Sequence, residues 1–138
     1  LRIGMGILFF SAGWVKITDS SWSAAGYISG SKIFFGFYSW LLTPNILPTV
    51  NFLNEWGLTL IGAALLLGIF VRLSSFFGLV IMILYYLPAY PSDHGLVDEH
   101  IIYALVFLVF MSYGAGKILT INNWIQTRIH PMWHKWVD

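Results

Sequence analysis

"NEWGLTLIGAALLLGIFVRLSSFFGLVIMILYY", residues 54–86, sets two long apolar runs on either side of one arginine, Arg72. The runs cover residues 55–71 and 73–90. Each lies near the lower limit of the roughly 17–25 residues that cross the hydrocarbon core of a bilayer as a helix. They are continuous and lack period-two alternation, which argues against strands. The turn "FVRLSS" is too short for anything but an antiparallel hairpin.

Two more apolar segments flank this pair. One runs from Ile3 to Ile17, and the other covers 99–115, starting inside "VDEHIIYALVFLVF", residues 97–110. The expected fold is therefore all-α, an integral membrane antiparallel four-helix bundle forming one domain over 1–138. Its expected spans are 3–17, 55–71, 73–90 and 99–115. A long connection, residues 18–53, joins the first two and carries five aromatics between Phe34 and Trp40, with Pro44 and Pro48. Its pieces "SSWSAAGYISG" and "FFGFYSWLL" read as short interfacial helices or as a cap over the bundle. The tail 118–138 mixes Trp124, Trp133 and Trp136 with Arg128 and Lys135, a composition suited to a headgroup layer.

Composition supports the membrane reading. The chain is 58% hydrophobic and 9% charged, with mean hydropathy +0.76, whereas soluble domains carry roughly 25% charged residues. A chain of 138 residues is too short to hide that much apolar surface in an aqueous core. The net charge of +1 says nothing about nucleic acid, but the lack of a basic run excludes a phosphate-tracking surface. There is no cysteine, which removes disulfides, thiolate metal sites, iron–sulfur clusters and a covalent sulfur relay on this chain. The chain opens at Leu1 and is already apolar at Ile3, so a stretch ahead of Leu1 is expected. Arg2, Ile3–Phe10 and "SAG" could mimic a secretion signal, but Trp14 and Lys16 fit a helix end better.

Charge asymmetry gives an orientation. Arg2, Arg72, Lys117, Arg128 and Lys135 fall on one side, and Asp19, Glu55, Asp93, Asp98 and Glu99 on the other, with Lys16 and Lys32. The positive-inside rule places both termini in the cytoplasm and the acidic side outward.

Helical phase then groups the polar residues. At about 100° per residue, Arg2, Gly6, Phe9, Gly13 and Lys16 share one stripe of the first helix. Glu55, Thr59, Gly62 and Leu66 share one on the second. Glu99, Tyr103, Val106, Phe110, Tyr113 and Lys117 share one on the fourth. Glycines let helices approach closely in lipid, and ionisable groups facing lipid are costly, so these stripes are expected to face the bundle. Lys16 is expected within salt-bridge reach of Glu55 or Glu99. Asp98 reads equally as an N-cap, and His100 shares a packing face with Ala104, Phe107, Met111 and Gly114. Glu55, Glu99, His94 and His100 lack any metal-ligand spacing, so no metal site is expected, and no histidine pair within the spans suits haem.

These residues resemble the DoxX/DoxD family. "LRIGMGILFFSAGWVKI" is similar to its opening helix, the stretch 54–86 to its second and third, and "VDEHIIYALVFLVF" followed by "GAGK" to its fourth. The long first loop resembles the DoxD side. The resemblance implies a four-helix membrane protein of a redox complex, such as the membrane subunit of thiosulfate:quinone oxidoreductase. It touches Arg2, Lys16, Glu55, Arg72 and Glu99.

Two functions follow. The first is a quinone-linked oxidoreductase subunit: Tyr85, Tyr86, Tyr103 and Phe110 would form a ring slot, with Glu55, Glu99 or His100 as catalytic proton groups. Arg2, Lys16 and Arg72 join Tyr85, Tyr103 and Phe110 as ligand-binding candidates. Expected partners are the lipid bilayer, quinone and further protein subunits. The second is an accessory subunit in a larger membrane complex, with the aromatic loop and tail as contact surfaces. A transporter is disfavoured, because no proline breaks a helix at its midpoint and no inverted repeat is visible.

Overall fold

The computed structural model describes residues 1–90 and 96–113. No strand occurs among them. The helices are α1 (Arg2–Thr18), α2 (Ala25–Ile28), α3 (Phe35–Leu41), α4 (Leu47–Leu67), α5 (Val71–Ala89) and α6 (Glu99–Tyr113).

The hairpin at Arg72 forms as expected, with a shifted start. The helix expected from residue 55 begins at Leu47, because Pro48 sits in its first turn, where no N–H is needed. Its first two turns carry Thr49, Asn51 and Asn54, so the helix outruns the apolar run that marks it. It ends at Gly68, whose φ of 70° is the left-handed cap that glycine adopts without strain. The tight turn then bends through Phe70, also left-handed at φ 51°, and α5 starts at once.

α1 packs along α4, α5 along α6, and α4 against α5. Met5 and Phe9 of α1, Leu58, Ile61 and Leu65 of α4, Val71 and Met82 of α5, and Ala104, Phe107 and Phe110 of α6 make one buried core. The stripe predicted on α1 is the buried one: Arg2, Gly6, Phe9 and Gly13 all face inward. Glycine is required where α1 meets α4. A Cβ on Gly13 would strike Thr59 and the Glu55 carbonyl, and one on Gly62 would strike the Phe10 backbone. On α6, Ala104 and Phe107 face the core with His100 half-buried above them, the packing face read from the sequence. Phe107 presses its ring on Gly78.

Among the described residues two helices, α4 and α5, are long and apolar enough to cross a membrane. At 21 and 19 residues they reach roughly 32 and 28 Å. Only 28% and 33% of their most apolar stretches are buried, whereas the core helix of a soluble protein is mostly covered. α1, with 17 residues, and the described part of α6, with 15, are shorter. Their outer faces are apolar too: Ile3, Ile7, Leu105 and Leu108 are exposed, as are Leu60, Phe76 and Phe77 on α4 and α5. Such a surface suits lipid.

The connection between α1 and α4 folds back over one end of these helices. Ala24, Ile28 and Tyr38 form a second buried cluster with Trp22, Val50 and Leu87 around it. Pro88 of α5 supplies no N–H, which leaves the Leu84 carbonyl without its helical donor. The Tyr38 hydroxyl donates to that carbonyl at 3.0 Å, and the Tyr27 hydroxyl donates to the Tyr85 carbonyl at 2.7 Å. Asn51 accepts the Ala24 N–H at 3.0 Å. The connection is thus tied to both α4 and α5. The expected tail 118–138, residues 114–115 of the fourth span, Asp93 and His94 lie outside the described residues.

Candidate functional site

At the end of α1 where Lys16 lies, α1, α4, α5 and α6 line an open cavity of about 280 Å³. Its walls are Leu8, Phe9, Ala12, Leu58 and Met82, and its polar rim is Lys16, Tyr85, Glu99, His100 and Tyr103. Five of the residues singled out in the sequence therefore meet in one place. Antiparallel packing explains this. Lys16 ends α1, Tyr85 lies in the last turns of α5, and Glu99 and His100 open α6, so all reach the same level.

Lys16 does not make the expected salt bridge. Neither Glu55 nor Glu99 lies within ion-pair distance of it; among the described residues, the ion pair found is Asp98–His100. The Lys16 ammonium donates instead to Asn54 Oδ1 and to the Tyr85 hydroxyl, both at 2.9 Å. Tyr85 in turn donates to Asn54 Oδ1 at 2.6 Å. The ammonium also lies 4.5 Å from the Trp22 ring centre and 5.2 Å from that of Tyr85, in cation–π range. The physical reason is reach and phase. Asn54 stands on α4 one residue before Glu55, facing α1 and α5, and a neutral oxygen shared with Tyr85 suffices for a half-buried ammonium.

The acidic opening of α6 is also sorted differently from expectation. Asp98 is buried, 6% exposed, and Glu99 is exposed. Asp98 Oδ1 accepts the backbone N–H of His100 at 3.1 Å and of Ile101 at 3.2 Å, an N-cap. Its Oδ2 meets His100 Nδ1 at 2.8 Å. Burial alone would raise the Asp98 pKa, but the hydrogen bonds from His100 and Ile101 outweigh it and hold the carboxyl below its usual range. His100 stands edge-on to Tyr85, ring centres 5.7 Å apart, with Tyr27 at 6.4 Å. Burial, reinforced by Asp98 and Glu99, pushes the Tyr27 hydroxyl up to about 12, so it stays a donor.

The other candidates lie elsewhere. Glu55 is half-buried, and its carbonyl accepts the Thr59 hydroxyl at 2.8 Å; it is near Lys16 but not on the cavity lining. Phe110 is buried against Phe107 in the core. Tyr86 turns to the Leu96 carbonyl at 2.9 Å. Arg2 is buried and Arg72 exposed, both at the opposite end from Lys16. Asp98, Glu99 and His100 offer three possible metal ligands within 4.8 Å of one another. Asp98 is already committed to a cap and an imidazole, so this triplet reads as a helix opening.

Sequence reasoning missed Asn54, Trp22 and Tyr27 and undervalued Asp98. Asn54 fell outside the helix as drawn from its apolar run. Trp22 and Tyr27 lie in a connection without periodicity.

Residues 1–90, about two thirds of the chain, match the DoxX family model. The chain belongs to the DoxX family. No curated protein sequence and no solved structure matches it. The match takes in α1 to α5 and with them Lys16, Asn54 and Tyr85; Glu99 and His100 follow it. Membership, with two apolar helices of spanning length, makes this a membrane protein of a family associated with oxidoreductase systems.

Proposed function

We propose that this DoxX-family chain is a membrane subunit of a quinone-linked oxidoreductase, of the DoxX/DoxD type. It is read as an antiparallel four-helix, multi-pass bundle in the cell membrane with both termini cytoplasmic. The observation that carries the reading is the cavity: an aliphatic and aromatic slot with Lys16, Tyr85, Glu99 and His100 at one end. At about 280 Å³ it sits just under the roughly 300–1,000 Å³ of drug-sized sites. That is room for a ring, with an isoprenoid tail left to lipid. The third N–H of Lys16, beyond those given to Asn54 and Tyr85, suits one ring oxygen, and Glu99 or His100 can exchange a proton at another. With no cysteine in this sequence, any covalent sulfur-linked intermediate would form on a partner subunit.

The accessory-subunit reading has its own observation. Phe34, Phe35, Phe37 and Trp40 remain exposed on and beside α3, a surface suited to a membrane-embedded or membrane-apposed protein. Purification in mild detergent separates the two. Quinone extracted in stoichiometric amount from the isolated chain, lost in a Tyr103→Ala variant that still folds, supports the first. A chain that always carries stoichiometric partners and no quinone supports the second.

A further inference from the structure

Capping α6 occupies only half of the Asp98 carboxylate. Oδ1 takes both backbone N–H groups, and Oδ2 is left for His100 Nδ1 at 2.8 Å. An ionised carboxylate accepts and cannot donate. A neutral imidazole facing it must therefore carry its one proton on Nδ1. Nε2 is then a lone pair, and it is the nitrogen that His100, a lining residue, has left for a ligand. Glu99, also on the lining, is a second acceptor. At the other end Tyr85 gives its one proton to Asn54, and Lys16, with two N–H groups on Asn54 and Tyr85, keeps a third to donate. The cavity thus donates at one end and accepts at the other.

We infer that Asp98 is a positioning residue that, through the His100 tautomer, makes this cavity select the reduced ring. A hydroquinone hydroxyl donates to Nε2, whereas a quinone carbonyl would meet a lone pair there. The inference rests on the quinone reading above and adds which redox form the site holds and which residue decides it. Asp98 acts without touching the ligand.

The test is calorimetric titration of the detergent-solubilised full chain with a tail-less dimethoxybenzoquinone and, anaerobically, its hydroquinone. It is run at about pH 8.5. The chain should bind the hydroquinone about tenfold more tightly than the quinone, the weight of one hydrogen bond. Asp98→Asn should reverse the order. The two backbone N–H groups keep the amide oxygen at the Oδ1 position, so its NH₂ faces Nδ1 and donates to it, which moves the ring proton to Nε2. A mere cap would give no such reversal. Should Asp98→Asn fail to fold, His100→Phe carries the test and should bind both forms within about threefold of each other. Hydroquinone preference retained in either variant, or absent from the wild type while quinone still binds, overturns the inference and leaves the quinone reading standing. Binding of neither form overturns both.

Discussion

Lys16 is held by neutral oxygens, Asn54 Oδ1 and the Tyr85 hydroxyl, each at 2.9 Å. Replacing Asn54 by Leu leaves a half-buried ammonium and a tyrosine hydroxyl short of their shared acceptor, a loss of about 1–3 kcal/mol. Glu55→Gln should cost less than about 1 kcal/mol, as a screened charge at a distance does. Glu99→Gln should cost no more than about 1 kcal/mol, an exposed helix-end charge. Thermal denaturation in one detergent ranks the three. Asp98 adds a pH dependence of known sign. Its folded-state pKa is depressed, so its contribution is full above the ordinary carboxylate value and fades as pH falls through the lower folded value. The stability gap between wild type and Asp98→Asn should narrow as pH falls below about 5 and close in strong acid. Which residue types would gather at this end was legible from charge and helical phase. Which carboxylate would be buried was not, because Asp98 and Glu99 are neighbours and only the helix start, set by the Asp98 cap, decides between them.

At the scale of elements, the contact of α1 with α4 and the tie between α5 and the connection make separate predictions. Gly13→Ala places a methyl against the α4 backbone and should cost about 1–3 kcal/mol by overpacking. Gly4→Ala meets nothing within 4 Å and should be neutral or slightly stabilising. Tyr38→Phe orphans the Leu84 carbonyl and should cost about 1–3 kcal/mol. In a Pro88→Ala background, residue 88 regains the N–H that serves that carbonyl, and the same change should cost measurably less. A double-mutant cycle read by thermal unfolding gives that coupling directly; additive costs would mean that Tyr38 and Pro88 act independently. The glycine stripe of α1 was readable because a 3.6-residue period survives in any helix. The early start of α4 was hidden, because Thr49, Asn51 and Asn54 break the apolar run while leaving the backbone free to continue. The cover formed by α2 and α3 depends on single hydrogen bonds to distant carbonyls, which leave no pattern in sequence.

At the scale of the molecule, the basic and acidic ends predict a topology. Cysteines introduced singly into this cysteine-free chain at positions 45 and 93 should react with an impermeant reagent in intact cells, and at position 72 should not. Labelling at 72 alone would invert the protein. The central claim, that the cavity between α1, α4, α5 and α6 holds a quinone ring, is met most directly by photoaffinity labelling. The full chain in mild detergent, irradiated with an azidoquinone and mapped by peptide mass spectrometry, should carry the label on cavity-lining segments of α1 and α6, around Phe9, Lys16 and Tyr103. An excess of unlabelled quinone should abolish it. Label spread over the exposed residues Phe76, Phe77 and Leu108, and indifferent to competition, would contradict the account.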